Sequence, residues 1–308
     1  MINMLLKECN KMNSIKMLVL FSAALLTLTG CSLSASKEPS ESKETAASIS
    51  ETTTVKTETP QNSEASVTET SSEQTPEAEK LSFSEIEELA AKCSYTVHWH
   101  SKDGDFDAGT AFVMDSEVHG RKLLVTAVHY LWPENDAGFT GEDIPGYVTG
   151  GEIRYVKTFE PTGASLKNAL VIKDARPVPD LDKDVAAFTV YGGKKLHSLK
   201  LSTHKVEADD KLFLLANLWD TDDIHENCVY EGKAVSDIGG ELLLMLDKQW
   251  GCTGASGGPI VNEYGEVVGM LMAGNEIFTF AHSSDSFLKQ IEASEISDIT
   301  YPKEASAN

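Results

Sequence analysis

Ser256 is the residue of this sequence that is best placed to act as a nucleophile. It lies in the segment 254–259, GASGGP. A serine hydroxyl attacks a carbonyl carbon only when a base removes its proton, and hydrogen-bond donors must meet the oxyanion that forms. The glycines allow a sharp turn without Cβ clashes, so successive N–H groups converge on one point. The segment therefore predicts Ser256 as a nucleophile, with the N–H groups of Gly254 and Ser256 as an oxyanion hole.

Two further polar residues stand at the ends of apolar segments. His129 ends one such segment, and Asp184 begins another. Each has an ordinary explanation when taken alone, as a polar residue at a strand end or in a turn. Asp180 and Asp182 are alternatives to Asp184, but only Asp184 adjoins the apolar segment. His129 and Asp184 therefore join Ser256 as candidate site residues.

The elements that must position these residues are mostly strands. Between residues 95 and 281 the sequence consists of short apolar segments separated by Gly, Asp, Asn and Pro, which is typical of a β-barrel or sandwich. Helical spacing of apolar residues predicts a short helix at 84–91, with Ser82 or Ser84 as its cap, and another at 284–292. The pattern favours one mostly-β unit with a helix at each end.

Taken together, the three segments resemble the trypsin-like (chymotrypsin-fold) serine protease family, and the bacterial HtrA-like and glutamyl-endopeptidase-like branches are the most similar. TAVH at 126–129 resembles the family's Thr-Ala-Ala-His, DVA at 184–186 its Asp-Leu-Ala, and GASGGP its Gly-Asn/Asp-Ser-Gly-Gly-Pro. The resemblance implies that His129 is the general base, Asp184 orients it, and Ser256 attacks. It also implies two antiparallel six-stranded β-barrels within residues 81–295.

The family resemblance implies a serine endopeptidase that acts on proteins or peptides without a cofactor. It places the substrate pocket near Trp250, Thr253, Leu271 and Met272. A glutamate-specific member would have a histidine where Leu271 stands, so no glutamate preference is predicted. Trp250 and Met272 favour a small or aliphatic residue before the scissile bond. His282 is a further candidate for specificity, or else an ordinary hydrogen-bonded histidine.

Two other functions are alternatives to the peptidase. Gly254, Ser256 and Gly258 also fit the nucleophile elbow of an α/β-hydrolase esterase, but that fold needs serine, acid and histidine in this order along the chain. Here His282 precedes Asp285, and a proline follows the glycines where a helix would have to start. The remaining alternative is a catalytically silent trypsin-like fold that serves as a surface binding module, against which the intact histidine, aspartate and serine argue.

The N-terminal region has the pattern of an export signal. Three lysines precede an apolar run at 17–28, which is too short to span a membrane, and the sequence LTGC follows at 28–31. This resembles a bacterial lipobox, so residues 1–30 are predicted to be a lipoprotein signal peptide and Cys31 the lipidated residue. An ordinary secretory signal is the alternative. The prediction places the protein on the extracytoplasmic side of the bacterial cell envelope, anchored to the membrane.

Composition limits the other partners. Residues 31–80 are rich in Ser, Thr and Glu and predict a disordered tether, while 296–308 predict a loose tail. A net charge of −22 argues against nucleic-acid binding, which needs a basic face. The five cysteines lack zinc-finger spacing, so no metal site is predicted. Whether Cys228 and Cys252 form a disulfide is left open.

Overall fold

Short segments rich in Val, Leu and Phe form most of the regular structure of this computed structural model, which describes residues 79–133, 138–177, 181–217, 228–247, 253–275 and 277–304. The segment Glu241–Leu246 shows why. Its residues at 242, 244 and 246 are buried, whereas Leu243 and Met245 are more exposed. Because side chains alternate between the two faces of a strand, such a segment buries one face and leaves the other to solvent.

Six antiparallel strands close the first barrel. They are β1 (Ser94–Ser101), β2 (Gly104–Ser116), β3 (Arg121–Thr126), β4 (Val148–Tyr155), β5 (Pro161–Val171) and β6 (Ala186–Tyr191). Their spatial order is β5-β4-β1-β2-β3-β6, and pairing of β5 with β6 closes the ring. Closure leaves no unpaired edge in this ring.

The second barrel is built in the same way. Its strands are β7 (Lys211–Leu215), β8 (Val229–Ile238), β9 (Glu241–Leu246), β10 (Pro259–Asn262), β11 (Val267–Gly274) and β12 (Thr279–Ser283). They close in the order β10-β11-β12-β9-β8-β7. The predicted fold class, two six-stranded antiparallel barrels with few helices, is therefore confirmed.

Helices lie at both ends of the barrels and in one connection. They are α1 (Phe83–Cys93), α2 (Ile144–Tyr147) and α3 (Ser284–Glu292). Ser82 is the N-cap of α1, and its backbone N–H donates to the Glu85 carboxylate at 2.7 Å. In return, the Ser82 hydroxyl accepts the backbone N–H of Glu85. This pair of hydrogen bonds satisfies N–H groups that the first helical turn leaves unpaired.

A core between the barrels fixes their relative position. Phe112 of β2 and Phe287 of α3 pack with ring centroids 6.0 Å apart. Leu215 of β7 and Ile86 of α1 belong to the same buried cluster. Burial of each such side chain contributes about 1.5–3 kcal/mol, so the contact between barrels is a strong one.

The C-terminal segment is packed against the first barrel, which differs from the loose tail predicted at 296–308. Strand β13 (Glu295–Ile296) pairs with β5. The Asn168 side chain donates to the carbonyl oxygens of Ser297 and Ile299, at 3.2 and 2.9 Å. Tyr301 is buried. The tail prediction is thus wrong as far as residue 304, because apolar side chains and the end of β5, which extends beyond its pairing with β6, hold the segment.

The N-terminal predictions concern residues that the structure does not describe. The signal peptide at 1–30 lies outside the described residues, and so does the tether at 31–80 except for its last two residues. No helix in the described ranges is long and apolar enough to cross a membrane.

Candidate active site

His129 and Asp184 are brought together by the pairing of two neighbouring strands. Strand β3 ends at Thr126, which pairs with Ala186 at the start of β6. The end of one antiparallel strand and the start of the next meet at the same edge of a sheet. His129 begins a short 3₁₀ helix just beyond β3, and Asp184 lies just before β6. The strand register therefore places the imidazole beside the carboxylate.

The Asp184 carboxylate holds the histidine through three hydrogen bonds. Its Oδ2 lies 2.7 Å from His129 Nδ1. Its Oδ1 accepts the backbone N–H groups of Val128 and His129, at 2.7 and 2.9 Å. Asp184 is fully buried, so water does not compete for these contacts. With Nδ1 occupied by the carboxylate, His129 keeps Nε2 for another partner.

The same carboxylate sets the protonation of the histidine. Burial lowers the pKa of His129, but the charge of Asp184 and its hydrogen bond raise it, and the net shift is upward from 6.5. A nearby negative charge favours the imidazolium form. His129 is thus suited to take a proton and to hold it as a stabilised cation.

Asp182, a predicted alternative for the acid, serves a different purpose. It lies in the 3₁₀ helix Leu181–Lys183, and its carbonyl oxygen accepts the Gln290 side-chain N–H at 2.6 Å. The contact ties the loop before Asp184 to α3. Asp180, the other alternative, lies outside the described residues.

The segment around Ser256 forms the sharp turn that its glycines predict. Gly254 and Gly257 have φ values of +87° and +83°, which disfavour residues with a Cβ. The Ala255 carbonyl accepts the Gly258 N–H at 2.8 Å. The Ser256 N–H belongs to the same trans peptide group as this carbonyl, so it points the opposite way. Within the described part of the chain, neither Gly254 nor Ser256 donates its backbone N–H to a partner. Both donors remain available to an oxyanion.

Thr110 holds this turn against the first barrel. Its hydroxyl donates to Gly254 O at 2.8 Å, and its N–H donates to Ser256 O at 2.7 Å. Both carbonyl oxygens are thereby fixed. The sequence assigned no role to Thr110, although its segment GTAFV was part of the family resemblance.

The glycine-rich turn around Ser256 also contacts the segment that carries His129. A Cβ added to Gly257 would lie 2.9 Å from Ala127 N and 2.2 Å from Thr110 O. The Ser256 hydroxyl itself donates to Met272 O at 3.4 Å, and among the described residues it makes no hydrogen bond to His129. The structure thus brings the turn close to the segment that precedes His129, while the hydroxyl is directed at a carbonyl.

Tyr130 is another site neighbour that sequence analysis missed. Its hydroxyl hydrogen-bonds the Thr126 hydroxyl, and its ring lies where a side chain at Gly109 would be. Burial raises the pKa of Tyr130 well above 10, and the charge of Asp184 adds to the shift. The phenol therefore stays neutral and acts as a packing and hydrogen-bonding group behind His129. The only sequence signal is its position after the histidine.

The predicted substrate-pocket residues are only partly supported. Thr253 is exposed next to the turn. Leu271, in contrast, is fully buried in the core of the second barrel, so its side chain cannot contact a substrate. Met272 is 2% exposed, and what it offers at the site is its carbonyl oxygen. Trp250 lies outside the described residues, as does Cys252 of the possible disulfide.

His282 is buried beneath the site rather than open to a substrate. Its Nε2 lies 3.0 Å from Ser286 Oγ, whereas its Nδ1 has no hydrogen-bond partner among the described residues. Burial lowers the pKa of His282 to about 4, although Asp184 and Asp182 act to raise it. A specificity role through substrate contact does not fit this location.

The family comparison agrees with this architecture. The sequence profile of the trypsin-like peptidase domain matches residues 109–270, more than half of the chain. A similar solved structure is the active form of the Rv3671c protease from M. tuberculosis, with 12% identity, a TM-score of 0.45, and coverage of 71% of this chain and 89% of that chain. Another is Deg5, with 18% identity, a TM-score of 0.45, and coverage of 67% and 90%. No curated protein sequence matches the chain.

Proposed function

The chain belongs to the trypsin-like peptidase domain family, and on that premise we propose that it is a serine endopeptidase with Ser256 as nucleophile, His129 as general base and Asp184 as the orienting acid. A peptidase acts on protein or peptide substrates. The observation that carries the serine mechanism is the 2.7 Å contact between His129 Nδ1 and Asp184 Oδ2 beside a glycine turn with two unused N–H groups.

The proposed reaction has two halves. His129 Nε2 takes the proton of Ser256 Oγ as the oxygen attacks the substrate carbonyl, and the N–H groups of Gly254 and Ser256 stabilise the oxyanion. The imidazolium, stabilised by Asp184, then gives its proton to the leaving amine. Water attacks the acyl-enzyme with His129 again as base, which returns Ser256 to its free form.

The Ser256 hydroxyl has to change direction before it attacks. It donates to Met272 O at 3.4 Å, which is a long and weak hydrogen bond. Rotation about the Cα–Cβ bond moves the oxygen toward another staggered position without altering the backbone. Catalytic hydrogen bonds often tighten only when a substrate is bound, so this geometry is compatible with the proposed mechanism.

The same observation favours one alternative, a trypsin-like fold that binds proteins without cleaving them. A serine held on a carbonyl would not be activated by His129. The two candidate functions differ in whether the Ser256 oxygen reacts with an electrophile.

An active-site phosphonate probe separates them. The full chain should become labelled at Ser256 and should cleave casein. Ser256→Ala should lose the label and about 10⁴-fold or more of the turnover. Ser236→Ala, in β8, is the matched control and should keep both. A folded chain that neither reacts with phosphonates of varied side chain nor cleaves casein would support the binding module instead.

We also propose that the enzyme is lipid-anchored through Cys31 on the extracytoplasmic face of the membrane. The supporting pattern is the basic segment, the apolar run at 17–28 and the LTGC sequence. In a bacterial host, the unsubstituted chain should incorporate an alkyne-tagged palmitate and sediment with membranes. Cys31→Ser should lose the label and the membrane association, whereas Cys93→Ser should retain them. Equal labelling of both variants would contradict the anchor.

A further inference from the structure

Two histidines that are not among the candidate active-site residues share the outer face of the first barrel. His98 and His100 are two residues apart in β1, so their side chains point the same way, while Trp99 between them is fully buried. The two imidazole rings meet edge to face with centroids 5.2 Å apart. Neither ring takes part in the proposed peptidase chemistry.

Carboxylates face both histidines across the β1–β2 pairing. His98 lies opposite Asp107, with Nδ1 3.0 Å from its Oδ1. His100 lies opposite Asp105, with Nδ1 2.8 Å from its Oδ1. Directly opposed residues of paired strands present their side chains on the same face. The register therefore gathers two imidazoles and two carboxylates into one cluster.

A third carboxylate comes from the C-terminal segment. Glu304 Oε1 lies 3.4 Å from His100 Nε2. The buried Tyr301 anchors this segment, and its N–H donates to Lys167 O at 2.7 Å. Gly150 lies opposite His100 on β4 and next to the contact, since a Cβ there would be in van der Waals contact, at 3.5 Å, with both Glu304 Oε1 and the His100 ring.

The protein supplies few cations to this cluster. Arg154 pairs with Glu152 at 2.8 Å and reaches Asp107 at 3.6 Å. In the described ranges, no lysine or arginine forms an ion pair with Asp105 or Glu304. Among the residues that the structure describes, His100 is the basic side chain that contacts both of these carboxylates.

We propose that His98, His100 and Asp105 form a binding site for a divalent transition metal, with Zn²⁺ as the best match. One ligand atom from each of these residues lies within 4.8 Å of the others. Imidazole nitrogens suit zinc, and a site with three protein ligands leaves a fourth position for water. Asp107 and Glu304 accept the other ring N–H groups of His98 and His100, an arrangement that orients metal-binding histidines.

The distances suit a tetrahedral ion after small side-chain rotations. Zinc bonds of about 2.0–2.2 Å at tetrahedral angles place neighbouring ligand atoms about 3.4 Å apart. Asp105 and His100 already approach more closely than this, at 2.8 Å. His98 has to close the remaining gap, and its side chain is 27% exposed, so it has room to turn.

Calorimetric titration of the metal-stripped full chain with ZnCl₂ tests the site. One zinc should bind per chain. His98→Ala and His100→Ala should each weaken binding at least about 10-fold, and the double variant should lose it. Asp105→Asn, which keeps the side-chain shape, and Glu304→Gln should each weaken it about 10-fold. Thermal unfolding without zinc checks that each variant is folded.

Two controls separate this site from other zinc-binding groups. His204→Ala removes a histidine that also lies near a carboxylate, Glu266 at 3.9 Å, and should leave zinc binding unchanged. His129→Ala should also bind zinc with unchanged affinity, which excludes the candidate active site. Unchanged zinc affinity in the His98/His100 double variant would overturn the proposal, as would the absence of saturable binding by the unsubstituted chain.

Discussion

Thr110 of the first barrel donates its hydroxyl hydrogen to Gly254 O, at the glycine-rich turn of the second barrel, over 2.8 Å. Its N–H donates to Ser256 O at 2.7 Å. One residue therefore fixes two carbonyls of the turn whose N–H groups are the proposed oxyanion donors. The proposed oxyanion hole therefore depends on contacts between the barrels and not on the glycine-rich segment alone.

Thr110→Val should lower kcat clearly while it lowers the free energy of unfolding only slightly. The substitution keeps the branched shape but leaves Gly254 O without its donor, and a lost hydrogen bond of this kind costs about 1 kcal/mol. If the same free energy is lost from the stabilisation of the transition state by the turn at Gly254, kcat decreases about 5-fold. Peptide hydrolysis and urea unfolding of the same preparation measure the two effects.

The controls for Thr110 are a conservative variant and a distant one. Thr110→Ser keeps the hydroxyl and should keep most of kcat. Thr162→Val removes a buried hydroxyl that donates to Ile153 O at 2.7 Å, away from the turn, and should reduce stability but not kcat. Equal loss of kcat in Thr110→Val and Thr162→Val would contradict a positioning role.

Gly257→Ala should abolish activity and destabilise the fold. Gly257 has a φ of +83°, and an added Cβ would lie 2.2 Å from Thr110 O and 2.4 Å from Thr126 Oγ1. The positive φ costs about 1–2 kcal/mol, and overpacking adds about 1–3 kcal/mol. Gly239→Ala isolates the first effect, because Gly239 has a φ of +66° and a Cβ added there would meet no other atom within 4 Å. Urea unfolding should give the larger loss for Gly257→Ala, and similar losses in both variants would refute the tight packing.

The fold could be predicted from the sequence because its signals are local. Alternating leucines and flanking turn residues indicate strands, and the chain order of three motifs matches a two-barrel family. The proximity of His129 and Asp184 was inferred through that resemblance, and the register of β3 and β6 supplies the physical reason.

The parts that sequence analysis missed depend on tertiary contacts. Leu271 was expected near the substrate, but the register of β11 and β12 shifts between Leu271 and Ala273, and alternation in the sequence does not reveal such a bulge. The packed C-terminal segment relies on Asn168, more than a hundred residues earlier. The His98–His100 cluster likewise forms only once β2 and Glu304 are in place.

Activity should rise with pH around a midpoint above 6.5. The base must be neutral to accept a proton, and Asp184 raises the pKa of His129 above its ordinary value of 6.5. In Asp184→Asn the charge is lost while burial remains, so the pKa of His129 should fall, and turnover should drop about 10⁴-fold. NMR titration of the His129 ring follows the pKa in both chains. An unchanged pKa in Asp184→Asn would contradict the assignment of the acid.

His282 should make the fold sensitive to acid. Its pKa is lowered from 6.5 to about 4 by burial, so the folded state disfavours the charged ring. For a base with a lowered folded pKa, stability is complete above the unfolded pKa of 6.5 and decreases as the pH falls toward 4. The shift corresponds to about 3 kcal/mol, of which roughly 2 kcal/mol is lost by pH 5.

His282→Gln removes this titration while keeping a polar side chain beside Ser286 and Gln290. The variant should lose less free energy of unfolding between pH 8 and pH 5 than the unsubstituted chain, by roughly 2 kcal/mol in urea denaturation. His204→Gln is the matched control, because the His204 side chain is 75% exposed, and it should leave the pH dependence unchanged. If the His282→Gln and unsubstituted chains lost the same free energy of unfolding between pH 8 and pH 5, the prediction would be refuted. The pH dependence of folding would then come from groups other than the buried His282 ring.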